Sequence, residues 1–129
     1  MRILAVDDEK DALQWLEDLL TQEGHQVLGV TSGLQALAAL DLAKFDVVLL
    51  DLMMPDVDGY QVLRSMTEHW VNLRVPVAIT SCRRDPRSRS FARVFGVKKY
   101  LEKPFHPKDL LQALQDIDRG REELVPMGG

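Results

Sequence analysis

Short hydrophobic runs alternate with longer amphipathic segments along most of the chain. Five runs are almost wholly apolar, at positions 3–6, 27–30, 47–50, 75–79 and 97–101. Because their apolar residues are consecutive rather than alternating, these runs predict β-strands that are buried on both faces of a sheet. The last run contains Lys98 and Lys99 and is the most polar, so we expect it at an edge of the sheet.

Between the runs, apolar residues recur at the spacing of helices that pack one face against a sheet. The clearest examples are Leu13, Leu16 and Leu20 in the first segment, Val62, Leu63, Met66 and Trp70 in the third, and Leu110, Leu111, Leu114 and Ile117 in the last. Gly24 follows the first helix, Asp58 stands where the third begins, and Asp85 with Pro86 stands where the fourth begins. Strands that alternate with such helices predict five βα units, with a parallel sheet between two layers of helices.

The length and composition fit one globular domain. The chain has 129 residues, of which 46% are hydrophobic and 28% are charged, as in ordinary globular proteins. We expect the domain to cover about residues 2–118, and residues 119–129 to form a flexible tail or the start of a linker. The single Cys82 cannot form an internal disulfide, and the first apolar run is too short for a signal peptide or a membrane span. These features predict a cytoplasmic protein without membrane contact.

Charge is unevenly distributed along the chain. The net charge is −4, but the stretch 83–103 holds eight of the sixteen basic residues and two acidic ones, so it carries +6 while the rest carries −10. A nucleic-acid binder usually has a basic balance over its whole domain. We therefore expect no direct nucleic-acid binding and interpret the basic stretch as a docking face for an acidic protein partner. A solvated or internally ion-paired face is the alternative.

Polar residues follow four of the five predicted strands. They are Asp7 and Asp8 after the first, Asp51 after the third, Thr80 and Ser81 after the fourth, and Glu102 and Lys103 after the fifth. Since all strands of a parallel sheet end on the same side, we expect these side chains to converge at one edge. Three carboxylates without a partnering His or Cys are ligands that suit Mg²⁺. The sequence therefore predicts a magnesium site at this edge.

Asp51 is the candidate nucleophile of this cluster. It is the lone carboxylate that follows the central strand, and a carboxylate can form an aspartyl-phosphate. Lys103 and Thr80 would donate to the phosphoryl oxygens. Each residue also has a structural explanation: Asp7 or Asp8 can cap the next helix, Asp51 can be a turn residue, and Lys103 can be solvated. The joint occurrence of these residue types favours the phosphoryl site.

Four motifs at these positions resemble the receiver domain of two-component response regulators. They are Asp7-Asp8-Glu9, the segment 51–59 (DLMMPDVDG), Ile79-Thr80-Ser81 and Lys103-Pro104-Phe105. The resemblance covers about residues 2–118. It implies a flavodoxin-like (βα)5 doubly wound α/β sandwich, in which five parallel strands have the order 2-1-3-4-5. Periodicity alone does not give that order.

The resemblance also implies a chemical role for each matching residue of the acidic cluster. Asp51 would accept a phosphoryl group from the phosphohistidine of a sensor histidine kinase or a phosphotransfer protein. Asp8, Asp51 and the backbone carbonyl of Met53 would bind Mg²⁺ directly, and Asp7 would help through water. Lys103 would pair with the phosphoryl oxygens.

A second group of matching residues is implied to form the switch. Thr80 would move in to bond a phosphoryl oxygen, and Tyr100 is the aromatic residue that turns inward with it. The bond before Pro104 is typically cis in this family. Two features depart from the usual pattern: Ser81 replaces a frequent alanine, and residues 82–89 hold more arginine than usual. Because of the second departure, the resemblance does not define the surface that binds a partner.

The function implied by the resemblance is a phosphorylation-dependent switch that controls a partner or an output domain, or that pairs with a second copy. It would catalyse only its own phosphorylation and dephosphorylation and would not otherwise be an enzyme. A Mg²⁺-dependent phosphohydrolase is an alternative, but it needs a second acid two residues after the nucleophile, where Met53 stands. A flavin-binding module is a further one, although Asp7 and Asp8 would repel the flavin phosphate. The complete set of site residues argues against a receiver-like binding module that is never phosphorylated. The cognate kinase and the controlled process are not encoded in these motifs.

Overall fold

Five strands alternate with five helices in the residues that the structure describes. The computed structural model describes residues 1–54, 58–68, 75–82 and 86–123. In chain order the elements are β1 (Arg2–Val6), α1 (Lys10–Gln22), β2 (Gln26–Val30), α2 (Gly33–Leu42), β3 (Val47–Asp51), α3 (Gly59–Glu68), β4 (Val77–Ser81), α4 (Pro86–Val94), β5 (Lys99–Glu102) and α5 (Pro107–Glu123). The predicted βα repeat is confirmed. Trp70, predicted in the third helix, and Asp85, predicted where the fourth begins, lie outside the described residues.

All five strands lie in one parallel sheet. Their order is β2-β1-β3-β4-β5, and each neighbouring pair is parallel, so the flavodoxin-like order is confirmed. β3 lies at the centre and is buried along its whole length, and β5 lies at an edge, as its polarity predicts. The expectation of burial on both faces is wrong for β2, because this strand forms the other edge and leaves Leu28 46% exposed.

Two hydrophobic cores cover the two faces of the sheet. On one face α1 and α5 contribute Leu16, Leu20, Leu110, Leu114 and Ile117. On the other face α2, α3 and α4 contribute Ala36, Leu40, Val62, Leu63, Met66 and Ala92. The predicted apolar stripes are therefore buried wherever they are described, except that Leu111 is only partly buried. With both faces covered, the carboxyl ends of the strands are the natural place for a ligand.

Two strands begin later than their hydrophobic runs, for different reasons. β4 begins after Pro76, because proline has no N–H to donate to the ladder. β5 begins at Lys99 rather than at the start of its run. Val97 is used to close α4 instead: its N–H donates to the carbonyl of Ala92 at 3.1 Å, beyond Gly96 with a φ of +73°. A glycine in this conformation is a common way to end a helix.

The last helix continues beyond residue 118. α5 runs to Glu123, so residues 119–123 of the predicted tail or linker are helical. Arg and Glu, which dominate this segment, are good helix formers, and Gly120 is tolerated inside the helix. Residues 124–129 lie outside the described part. No helix in the described residues is long and apolar enough to cross a membrane.

Candidate functional site

The strand ends bring the predicted polar residues to one edge of the sheet. Asp7 directly follows β1, Asp51 ends β3, Thr80 lies near the end of β4, and Lys103 directly follows β5. They border a cavity of about 500 Å³ that is lined by Asp7, Asp8, Glu9, Ala12, Trp15, Leu16, Asp51, Met53, Thr80, Cys82, Lys103, Pro104 and Phe105. The convergence expected of a parallel sheet is therefore present. Among the residues predicted to converge, Ser81 and Glu102 lie outside this cavity, as does the predicted switch residue Tyr100.

Lys103 links the two buried carboxylates of the site. Its Nζ lies 2.8 Å from Asp7 Oδ2 and 3.2 Å from Asp51 Oδ2. The other oxygens accept backbone N–H groups: Met53 N donates to Asp51 Oδ1 at 2.9 Å, and Glu9 N donates to Asp7 Oδ1 at 3.0 Å. The peptide bond between Lys103 and its following proline is cis. These contacts fix both carboxylates and the ammonium relative to one another.

The pKa values of Asp51 and Lys103 reflect opposing effects of burial and of neighbouring charge. Burial raises the pKa of Asp51 above its usual range, and the Met53 N–H and the Lys103 ammonium only partly offset this effect. For Lys103, burial alone would lower the pKa, but the hydrogen bond to Asp7 and the charge of Asp51 outweigh it, so the pKa of this ammonium is raised. A buried carboxylate with a perturbed pKa in a cavity is typical of functional sites.

Three carboxylates of the site lie close enough to share one cation. Asp7, Asp8 and Asp51 each offer one oxygen, and these oxygens lie within 4.8 Å of one another. Asp8 is exposed, whereas the other two are buried. A cluster of oxygen ligands suits Mg²⁺, which keeps several waters and takes few carboxylates. The residues present therefore fit this ion.

Helix capping is a poor explanation of the acidic pair. The N-cap of α1 is Glu9, and no side chain there makes a capping hydrogen bond. Asp7 accepts the Glu9 N–H in a local turn, while its other oxygen bonds to Lys103. The structural role that the sequence left open for Asp8 is therefore not seen, and Asp7 combines a turn with an ion pair.

The segment after β3 is held by short-range contacts around Gly59. The Gly59 N–H donates to the carbonyl of Leu52 at 3.2 Å. A side chain at this position would meet the carbonyl oxygen of Asp51 and the Cα of Leu52, both at 2.5 Å. One residue earlier, Asp58 caps α3 as predicted: it accepts the Gln61 N–H at 2.9 Å, and the Gln61 side chain accepts the Asp58 N–H at 2.9 Å. This reciprocal cap anchors the end of the segment that presents Asp51.

An aromatic wall closes one side of the cavity, and sequence reasoning missed part of it. Trp15 of α1 is 42% exposed, and its ring centroid lies 6.0 Å from that of Phe105. Phe105 belongs to a recognised motif, but no sequence signal distinguishes Trp15 from an ordinary exposed helix residue. Cys82 is exposed and also borders the cavity.

Tyr100 lies beside the site in a set of polar contacts on α4 and β4. It hydrogen-bonds with Ser81 and Ser88, and burial raises the pKa of its phenol. The guanidinium of Arg89 lies 4.7 Å from the centroid of the Tyr100 ring, and Arg89 also forms an ion pair with Glu102. Ser88 did not stand out in the sequence, because a serine within an arginine-rich segment carries no signal of burial.

The basic stretch is only partly free to bind a partner. Arg89 pairs with Glu102, and Lys99 pairs with Asp116 of α5 at 3.0 Å, as the ion-paired alternative expects. The exposed basic residues without an ion pair to any residue that the structure describes are Arg87, Arg93 and Lys98. Arg83 and Arg84 lie outside the described ranges.

Comparison with protein families agrees with the fold. The family model described as "Response regulator receiver domain" matches residues 3–115. The chain therefore belongs to the response regulator receiver domain family, whose members act as phosphorylation switches in two-component systems. Receiver domains of this family interact with sensor kinases and output domains.

Individual relatives extend this assignment. The response regulator SaeR of Staphylococcus epidermidis is 33% identical over 109 residues, which are 84% of this chain and 46% of that protein. SaeR of Staphylococcus aureus is 30% identical over 115 residues, which are 89% of this chain and 49% of that protein. The chain thus spans about half the length of the curated relatives it matches.

Solved structures with the same fold include a chemotaxis protein and an activated receiver domain. The chemotaxis protein CheY4 of Vibrio cholerae has a TM-score of 0.85 and 28% identity, over 90% of this chain and 97% of that chain. The BeF3-activated DrrB receiver domain has a TM-score of 0.80 and 30% identity, over 92% of this chain and 97% of that chain.

Proposed function

We propose that Asp51 of this chain accepts a phosphoryl group from the phosphohistidine of a sensor histidine kinase or a phosphotransfer protein. The observation that carries the proposal is the Lys103 ammonium, 2.8 Å from Asp7 and 3.2 Å from Asp51 at the carboxyl end of the central strand. A fixed cation at this position can neutralise phosphoryl oxygens as they approach the nucleophile. The DrrB receiver domain is BeF3-activated, which supports an acidic site of this kind as the acceptor of a phosphoryl-like group.

The transfer step uses the Asp51 carboxylate as the nucleophile. One carboxylate oxygen attacks the phosphorus atom, the P–N bond of the phosphohistidine breaks, and its electron pair stays on the imidazole, which takes up a proton. Asp51 must be ionised for this attack. Burial opposes ionisation, while the Met53 N–H and Lys103 favour it. Lys103 and the Thr80 hydroxyl donate to the phosphoryl oxygens.

Mg²⁺ is the cofactor that we assign to the acidic cluster. Asp8, Asp51 and the backbone carbonyl of Met53 would hold it directly. Asp7 would act through water. When bound, Mg²⁺ supplies positive charge that offsets the phosphoryl oxygens.

The output of the switch is assigned to the face formed by α4, β5 and α5. Thr80 is buried at the cavity and would move toward the phosphoryl group, and Tyr100 would follow it. Phosphorylation then changes what this face binds. The exposed charges of Arg87 and Arg93 favour an acidic protein partner or output domain, and pairing with a second copy is the other mode. We assign this switching to the cytoplasm.

The chain is further proposed to act on no substrate other than itself. A phosphohydrolase would place a general acid two residues after the nucleophile, and this position is Met53, whose side chain is 48% exposed. The thioether of methionine cannot donate a proton. Phosphorylation and dephosphorylation of Asp51 are therefore the reactions that we expect.

Labelling with acetyl phosphate and Mg²⁺ tests this function. Wild type should gain one hydroxylamine-labile phosphoryl group, Asp51→Asn should gain none, and a chelator should abolish labelling. Asp41→Asn, which changes an exposed carboxylate of α2 away from the cavity, should label like wild type. Equal labelling of Asp51→Asn would contradict the assignment. Absence of labelling in wild type would instead favour a receiver-like binding module.

A further inference from the structure

A chain of hydroxyl groups connects α3 to α4, β5 and β4 outside the cavity. Tyr60 Oη of α3 donates to Ser88 Oγ of α4 at 2.8 Å. The Tyr100 side chain of β5 hydrogen-bonds with Ser88 and with Ser81 of β4. Four side chains from four elements thus form one connected set, Tyr60–Ser88–Tyr100–Ser81, which we refer to as the hydroxyl chain.

The hydroxyl chain is buried at its serines. Ser88 is 2% exposed and Ser81 is 0% exposed, so water cannot readily replace a lost partner, and an unsatisfied buried hydroxyl is costly. Tyr60 donates to Ser88, and the hydroxyls of Ser88 and Ser81 both donate to the Tyr100 oxygen. Connected hydroxyl groups polarise one another, so each bond depends on its neighbours.

Packing contacts fix the two tyrosine rings of the hydroxyl chain. The Tyr60 ring meets Phe91 of α4 edge-on, with centroids 4.5 Å apart. The guanidinium of Arg89, also on α4, lies 4.7 Å from the centroid of the Tyr100 ring and is held by Glu102 of β5. α4 is therefore connected to α3 and to β5 by both polar and aromatic contacts, and Ser88 lies in the middle of them.

We propose that Ser88 is a positioning residue that holds α4 against α3 and β5 in the unphosphorylated protein. This inference rests on the proposed function, in which Thr80 moves toward phosphorylated Asp51. Tyr100 follows Thr80 in that function, and it cannot move while its phenol stays bonded to Ser88 and Ser81. The hydroxyl chain therefore opposes the switch, and Ser88 is the link through which α4 resists it.

Substitution of Ser88 should make the switch easier to operate. Ser88→Ala should speed labelling by acetyl phosphate about fivefold, the effect on an equilibrium of losing roughly one buried hydrogen bond. Tyr60→Phe, which keeps the ring, should also speed it. The double variant should label no faster than Ser88→Ala, because both changes break the same link. Ser90→Ala, an exposed serine of the same helix, should label like wild type.

The results that would overturn the inference are specific. A merely structural role for Ser88 would lower the melting temperature without faster labelling, and additive effects in the double variant would mean that the two hydroxyls act separately. If Ser88→Ala does not fold, unchanged labelling of Tyr60→Phe is sufficient to reject the inference. If wild type is labelled and both Ser88→Ala and Tyr60→Phe are labelled at the same rate as wild type, the inference is rejected and the proposed function stands.

A second readout does not depend on phosphorylation. Hydrogen exchange of the α4 amides, residues 86–94, is measured without any phosphodonor. Exchange should be faster in Ser88→Ala than in Ser90→Ala. Equal exchange in the two variants would overturn the inference. Absence of labelling in wild type would reject the proposed function, and the exchange measurement would still test the inference.

Discussion

At the residue scale, one lysine offsets two carboxylates that the fold forces together. Asp7 and Asp51 are 1% and 5% exposed, and like charges in such surroundings repel each other strongly. Lys103 hydrogen-bonds to both carboxylates, so one positive charge offsets two negative ones. The remaining repulsion among the carboxylates favours binding of a divalent cation, because the cation would reduce that repulsion.

Removal of this lysine should destabilise the fold. Without Mg²⁺, Lys103→Ala should lower the free energy of unfolding by about 3 kcal/mol, since it leaves buried charges without their partner. Saturating Mg²⁺ should restore part of the loss. Lys98→Ala, an exposed lysine nearby, should change stability by less than about 0.5 kcal/mol. Urea denaturation measures the unfolding free energy of both variants. A Lys103→Ala protein as stable as wild type would show that the ion pairs contribute little.

Because Lys103 titrates, its contribution to the free energy of unfolding should depend on pH. The pKa of Lys103 is raised above its ordinary value of 10.5, so folding favours the protonated form. Its contribution to stability is therefore complete below pH 10.5 and is lost as pH rises through the higher folded-state pKa. The difference in unfolding free energy between wild type and Lys103→Ala should stay constant in the mildly alkaline range and shrink above it. A difference that already shrinks near neutral pH would contradict this direction.

Asp8 is predicted to be a direct metal ligand. Asp8→Ala should weaken Mg²⁺ binding by at least about tenfold, because even indirect partners of metal sites cost that much. Trp15 borders the same cavity, so its fluorescence in a Trp70→Phe background should report binding, and calorimetry provides an independent value. Asp11→Ala, an exposed carboxylate of α1, should bind Mg²⁺ like wild type. Unchanged affinity in Asp8→Ala would refute the ligand role.

At the element scale, the close approach of the end of β3 to the start of α3 helps to position Asp51 and Met53. Gly59 lets these two parts approach, since any Cβ there would collide with backbone atoms of Asp51 and Leu52 at 2.5 Å. Backbone contacts of that kind cannot be relieved by rotating a side chain. The glycine is therefore required by the geometry of the site and not by helix formation.

Gly59→Ala should disturb both folding and metal binding. We expect a loss of about 1–3 kcal/mol in unfolding free energy, as for other overpacked positions, together with weaker Mg²⁺ binding because the Met53 carbonyl moves. Gly120→Ala is the matched control: a Cβ there meets no atom within 4 Å, and alanine should stabilise α5 by roughly 1 kcal/mol. Wild-type Mg²⁺ affinity in Gly59→Ala would contradict the link between this glycine and the site.

The elements also show how far the sequence could predict the structure. Polarity predicts that β5 lies at an edge, because polarity is a property of local composition. Strand order is not local, and it came from the resemblance to a family. The late start of β5 depends on Val97 closing α4, a contact that hydrophobicity does not reveal. Trp15 and Ser88 have environments set entirely by tertiary packing, so their positions beside the site and the switch could not be predicted.

At the scale of the whole molecule, chemistry and output occupy adjacent regions. The acidic cavity lies at the strand ends, while the basic residues 87–99 lie on α4, on β5 and between them. Charge at an exposed face affects the rate and specificity of association more than the fold. Two internal ion pairs already use part of the basic charge, so the remaining exposed arginines are the ones available to an acidic partner.

Charge reversal tests this docking face. Arg87→Glu with Arg93→Glu should leave Asp51 labelling intact and weaken binding of the phosphorylated chain to polyglutamate, used as an acidic probe in fluorescence anisotropy. The loss should be largest at low salt, where exposed charges are least screened. Lys44→Glu, an exposed lysine far along the chain from this face, should have a smaller effect. Normal binding by the double variant across the salt range would contradict docking by these arginines.

The central claim is that Asp51 itself becomes phosphorylated, and peptide mapping tests it most directly. Protein treated with acetyl phosphate and Mg²⁺ is reduced with borohydride, which converts an aspartyl-phosphate to homoserine, and is then digested and sequenced by mass spectrometry. Homoserine should be found at position 51, with Asp7 and Asp8 unchanged, and it should disappear when Mg²⁺ is chelated. Homoserine at another aspartate, or at none while the protein carries phosphate, would contradict the account.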